Sequence, residues 1–132
     1  MYLRHILGEN GEDVASNYLI ENGYKIIERN FNCKQGEIDI VAEEKVKYAN
    51  RYEEEYVFVE VKTRKNKKYG RPSEAVNLPK QKHIYKATEY YVYINKLENC
   101  NIRFDVIEVY EKDKHFYINH LKNCEISNKI KK

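Results

Sequence analysis

Cysteine is scarce and scattered in this sequence. Cys33, Cys100 and Cys124 are odd in number and far apart, and no CxxC or HxxxH spacing accompanies them. The pattern argues against a zinc framework and fits reduced thiols in a cytoplasmic protein. No apolar run approaches the roughly 20 residues that a spanning helix needs, so no membrane partner is expected. The opening "MYLRHILGENGED" has a short apolar patch and no cleavage-site pattern, which makes it a poor secretory signal. No glycine-rich loop could cradle a phosphate, and no histidine accompanies a serine or cysteine nucleophile pattern. NTPase and triad-hydrolase chemistry are thereby set aside. Internal repeats and Pro/Gly/Ser linkers are also missing. A chain of 132 residues, 42% hydrophobic and 34% charged, therefore reads as one soluble domain. That domain is expected over residues 1–122, with 123–132 as a basic, frayed tail.

What the sequence has is unevenly placed charge. The net +3 is carried by residues 122–132, where four lysines meet one glutamate, so the body is formally neutral. Within that body, residues 62–86 hold nine cations against Glu74 alone, a net +8. Such a stretch attracts phosphate locally; a solvated loop and helix face is the plainer alternative.

Periodicity gives the elements. Val14, Ala15, Tyr18 and Leu19 form one stripe, which predicts a helix over 9–22 stopped by Gly23. Strands are predicted over 24–32, 36–43 and 55–63, the last two rich in Val, Ile and Phe. The polar segment 44–54 reads as a long hairpin loop. Pro72 precedes a short helical turn at 73–77, and Ile84, Ala87, Tyr91 and Ile94 predict a helix over 80–97. Two more strands follow at 101–111 and 115–122. The order is α-β-β-β-α-β-β, an α/β fold whose central mixed sheet is flanked by helices.

Two of those strands carry acids where a core strand keeps apolar side chains. Asp39 stands between Ile38 and Ile40, and Glu60 between Val59 and Val61. An unpaired buried carboxylate is costly, so each should meet a cation, a metal or the open end of the sheet. Residues i and i+2 share a strand face, which puts Glu60 beside Lys62. If segments 37–43 and 56–62 pair antiparallel with an index sum of 99, Asp39 lies opposite Glu60. Directly opposed side chains stand about 4.5–5.5 Å apart, and two carboxylates so close repel unless a divalent cation lies between them. Hard oxygen ligands favour Mg2+ or Mn2+, which would polarise a phosphodiester and acidify a bound water. Lys62 could orient that water or stabilise developing charge. The alternatives are a polar strand-end residue for Asp39 and a same-face salt bridge for Glu60 and Lys62.

The segments "GEDVASNYLIENGYKIIERNFNCKQGEIDIVA", "VFVEVKTRKNKKYGRPSEAV" and "RFDVIEV" together resemble the YraN-like family of small bacterial proteins. The resemblance covers roughly residues 8–110. It implies a restriction-endonuclease-like fold with the PD-(D/E)XK nuclease signature, similar to archaeal Holliday-junction resolvases. In that signature Asp39 takes the first acid position, Glu60 the ExK acid and Lys62 the ExK lysine. Glu12 would match a further acid on the first helix; a favourable interaction with the helix dipole is its ordinary role. Gly36-Glu37-Ile38-Asp39 stands in place of the "PD" label, and Glu37 at the strand start suits solvent. The function implied is a metal-dependent DNA endonuclease, acting on branched or single-stranded DNA. The alternative is a non-catalytic nucleic-acid-binding protein on a nuclease scaffold. A resolvase-like activity would call for a homodimer.

Arg64, Lys65, Lys67, Lys68 and Arg71 follow the ExK strand directly, and Gly70 and Pro72 would bend this segment around a backbone. Lys82 is the candidate phosphate contact on the second helix. Contacts of this kind position a substrate without reading its bases. Arg103 and Asp105 fit a structural ion pair. The 13 tyrosines suit core packing more than base stacking.

Overall fold

The computed structural model describes residues 2–4, 10–64 and 78–124, with the side chains of 10–64 and 84–124. The helical turn expected at 73–77 lies outside the described residues, as do Lys65, Lys67, Lys68, Arg71, the side chain of Lys82 and tail residues 125–132.

The elements run β1 (Tyr2–Arg4), α1 (Gly11–Glu21), β2 (Lys25–Cys33), β3 (Gly36–Tyr48), β4 (Arg51–Arg64), α2 (Leu78–Ile94), β5 (Asn101–Lys112) and β6 (His115–Leu121). The expected α-β-β-β-α-β-β order is present, preceded by a three-residue strand that the sequence did not suggest. The sheet order is β1-β6-β5-β4-β3-β2. Only β4 and β5 pair in parallel among the described strands, so the sheet is mixed.

Each face of the sheet has its own core. Val14, Ala15 and Leu19 of α1 pack on Ile40, Ala42, Val57, Val59, Ile107 and Val109. On the opposite face, Ala87 and Tyr91 of α2 cover Ile38, Val41 and Phe58. Alternate residues of β4 thus serve alternate faces, and the continuous run Val57-Phe58-Val59 is buried on both sides as a central strand requires. Asn10 caps α1 by accepting the Asp13 N–H at 2.8 Å, and Pro79 stands in the first turn of α2, where its missing N–H costs nothing.

The long loop expected at 44–54 is instead a β-ribbon. β3 continues to Tyr48 and β4 begins at Arg51, leaving a two-residue turn in which Ala49 takes a φ of 55°. Cross-strand pairs stabilise the ribbon in place of a buried face: Lys45 opposes Glu54, and Lys47 opposes Tyr52. Glu44 stands opposite Glu55. Glu44 and Glu55 repel as direct neighbours, and Arg103 neutralises both from β5, at 2.7 and 3.1 Å.

Candidate active site where two strands part

The β3–β4 register has the index sum 99 throughout, from Tyr48 opposite Arg51 to Ile40 opposite Val59. Beyond that last pair the strands part. Residues 36–38 of β3 pair with β2, while Glu60 to Arg64 pair with β5. Asp39 and Glu60 are the first residues of the fork, one on each branch. The Asp39 carboxylate substitutes for the lost backbone acceptor, taking the Val61 N–H at 2.8 Å.

This position has an electrostatic cost. Burial, then the charge of Glu60, pushes the Asp39 carboxyl up to about 7, with a smaller contribution from Glu12. The Val61 N–H acts the other way. Glu60 is 6% exposed, and its Oε1 lies 3.3 Å from Lys62 Nζ. Asp39, Glu60 and Lys62 therefore form one cluster, and the same-face contact between Glu60 and Lys62 is present as an ion pair. Glu37 is exposed and stands opposite Asn32.

Glu12 approaches the cluster from α1. A Cβ built on Gly11 would meet Thr63 Oγ1 at 2.1 Å, so glycine is what lets the start of α1 lie against β4 just past Lys62. The Glu12 carboxylate nevertheless turns toward β2. It accepts from Arg29 Nη2 at 2.9 Å, Arg29 Nε at 3.2 Å and Asn30 Nδ2 at 2.8 Å, while Asp13 accepts from Arg29 Nη2 at 2.7 Å. Asn30 reaches it from a left-handed backbone, with φ 54°. Among the described residues, no three of His, Cys, Asp and Glu converge on a metal position. The fork itself offers two carboxylates.

Arg64 lies beyond Lys62 on the same strand face, paired with Tyr110. Its Nε is buried and has no hydrogen-bond partner among the described residues. Glu108, not among the candidates drawn from the sequence, is 1% exposed, stands in register with Lys62 and accepts from Asn119 Nδ2 at 2.7 Å. Its setting between Ile107 and Val109 repeats that of Glu60 between Val59 and Val61, a signal available in the sequence.

Arg103 and Asp105 have the structural role expected of them. Arg103 donates to both Asp105 oxygens, to Glu44, to Glu55 and to Tyr24. Burial resists ionisation of Asp105, but bonds from His120, Arg103 and the Asn123 N–H outweigh it and hold the carboxyl below its ordinary range. His120 continues the network to the Tyr18 hydroxyl at 2.9 Å, tying α1 to β6.

Residues 11–109 match the model of the uncharacterised protein family UPF0102. The chain belongs to this family. Similar UPF0102 proteins occur in Caldicellulosiruptor saccharolyticus, 47% identical over 83% of this chain and 86% of the relative, and in Clostridioides difficile, 49% identical over 81% and 87%. A third, from Clostridium kluyveri, is 48% identical over 78% of each chain. The UPF0102 match takes in α1 through most of β5, and so contains Glu12, Asp39, Glu60 and Lys62. Among the described residues, no helix is long and apolar enough to cross a membrane.

Proposed function

We propose that this UPF0102 protein is a divalent-metal-dependent endonuclease that hydrolyses phosphodiester bonds in branched or single-stranded DNA. The observation that carries the reading is the meeting of Asp39 and Glu60 at the strand fork, with the Lys62 ammonium 3.3 Å from Glu60. Two hard carboxylates suit Mg2+ or Mn2+, which bind few protein ligands and complete their shells with water and phosphate oxygens. Burial first and the Glu60 charge second raise the Asp39 pKa, and a bound cation would oppose both by favouring the ionised carboxylate. When bound, the metal supplies Lewis-acid polarisation and a more acidic water.

The chain's own residues divide the remaining work. Asp39 and Glu60 would hold the cation, and the Val61 N–H fixes the Asp39 carboxylate. Lys62 stabilises charge as it develops on the phosphate oxygens. Arg64, on the same strand face two residues beyond, adds a second cation on the side of Lys62. Glu12, tied by Arg29 and Asn30, borders the site as an additional negative charge. Cutting two strands of a branched substrate calls for two such sites, and hence a homodimer.

Calorimetric titration of Mn2+ into wild type and Asp39→Ala/Glu60→Ala, beside cleavage of branched, single-stranded and duplex DNA, tests the proposal. Binding and cleavage are expected in wild type and loss of both in the double variant; equal Mn2+ binding overturns the metal site. The use of Glu12 by Arg29 and Asn30 favours one other outcome. Salt-sensitive DNA binding without cleavage in Mg2+ or Mn2+ would identify a non-catalytic nucleic-acid-binding protein.

A further inference from the structure

We infer that the groove between α1 and β2 is a pocket for one unpaired nucleobase of the strand held at the carboxylate fork, an inference that rests on the phosphodiester reading above. The groove encloses about 290 Å3 and is lined by Asp13, Ser16, Asn17, Ile20, Ile26 and Arg29. It begins where the fork's surroundings end, because Arg29 bridges Glu12 on one side and Asp13 on the other.

The lining's chemistry selects the ligand. Arg29 is already matched by two carboxylates, and Asp13 adds negative charge to the wall, so a phosphate is disfavoured. A neutral ring is not. Ile20 and Ile26 supply apolar surface for its faces. Arg29 Nη1 and Asp13 Oδ2 make no hydrogen bond among the described residues, which leaves a donor and an acceptor on two bonded residues of the lining. Adjacent donor and acceptor atoms are what the edge of every nucleobase presents. Ser16, in the same lining, has an Oγ that is buried and without a partner among the described residues, and a polar ring atom reaching it would satisfy it. The volume, at the small end of ligand sites, admits a base with its sugar and excludes a duplex. Taking a base out of a stack costs least where it is unpaired, which matches strand junctions and single strands.

The test compares binding of a short single strand with binding of versions in which one nucleotide at a time is abasic. Each protein is its own control, since the backbone charge is constant. In wild type, an abasic site at one offset from the cleaved bond is expected to weaken binding about tenfold, the scale of losing one well-held base. Asp13→Ala and Ile20→Ser, both at accessible positions of α1, should each abolish that penalty, read as the ratio of intact-strand to abasic-strand affinity within the same protein; thermal melts check that the helix is intact. No penalty at any position in wild type, or a penalty that persists in both variants, overturns the pocket. Mn2+-dependent cleavage of the same strands separates the two ideas. Cleavage without a base penalty overturns the pocket alone, and a base penalty without cleavage supports the pocket while overturning the hydrolytic reading.

Discussion

At the scale of single residues, Lys62 separates chemistry from binding. It is bound to Glu60 in the ground state, and a catalytic lysine must gain more in the transition state than it has there. Lys62→Ala should keep most Mn2+ and DNA affinity and lose single-turnover cleavage by about a hundredfold or more, the range of an electrostatic catalytic group. Cleavage at the wild-type rate would reduce Lys62 to a counter-ion. Asp39, Glu60 and Lys62 were legible in the sequence because a strand's period of two makes an acid among Val and Ile conspicuous. Glu12 was legible as a position, but its turn toward Arg29 and Asn30 was not. That contact joins residues 17 and 18 apart through the packing of α1 on β2, and no local period encodes it. The groove beside it is hidden for the same reason.

At the scale of elements, the close approach of α1 to β4 makes a prediction. Gly11→Ala places a methyl group 2.1 Å from Thr63 Oγ1 and 3.3 Å from Thr63 Cβ, and Thr63, being β-branched, has few χ1 rotamers with which to withdraw. A cost of about 1–3 kcal/mol is expected in urea unfolding, as for other overpacked contacts. Thr63→Ala in the same chain should return at least about 1 kcal/mol of it as coupling between neighbours. Asp105 links β5 to β6 in another way. Asp105→Asn leaves Arg103 short of a buried partner and should cost about 3–5 kcal/mol near neutral pH. Because the folded-state pKa of Asp105 is lowered, its contribution is present above the unfolded value of about 3.9 and is lost as pH falls through the folded value. The gap between wild type and variant should therefore narrow in unfolding measurements below about pH 4. The strands that build this frame were readable where they have a buried face. Residues 44–54 were misread because their pairing rests on cross-strand charge and on Arg103 from a distant strand, and β1 was missed because its three residues pair with β6, the last described strand in the chain.

At the scale of the whole molecule, a formally neutral body with a net +8 stretch predicts salt-dependent binding. Neutralising Lys65, Lys67 and Lys68 together should flatten the slope of log K against log salt by up to about 3 in fluorescence anisotropy with DNA. An unchanged slope would move the contact surface elsewhere. The parallel seam between β4 and β5 has a consequence in time. β2, β3 and β4 can form a meander as soon as residue 64 has left the ribosome, but the strand that covers β4 is complete only at residue 112. At synthesis rates of about 5–20 residues per second, β4 waits roughly 2–10 s with one edge open. Its apolar stretch, Val57-Phe58-Val59, is what a stray strand would pair with. Glu60, Lys62 and Arg64 close that stretch with charge. Charges placed there are expected to discourage stray pairing while the chain is still being made, so replacing all three with apolar residues should raise aggregation during synthesis, read as the insoluble fraction in cell-free translation.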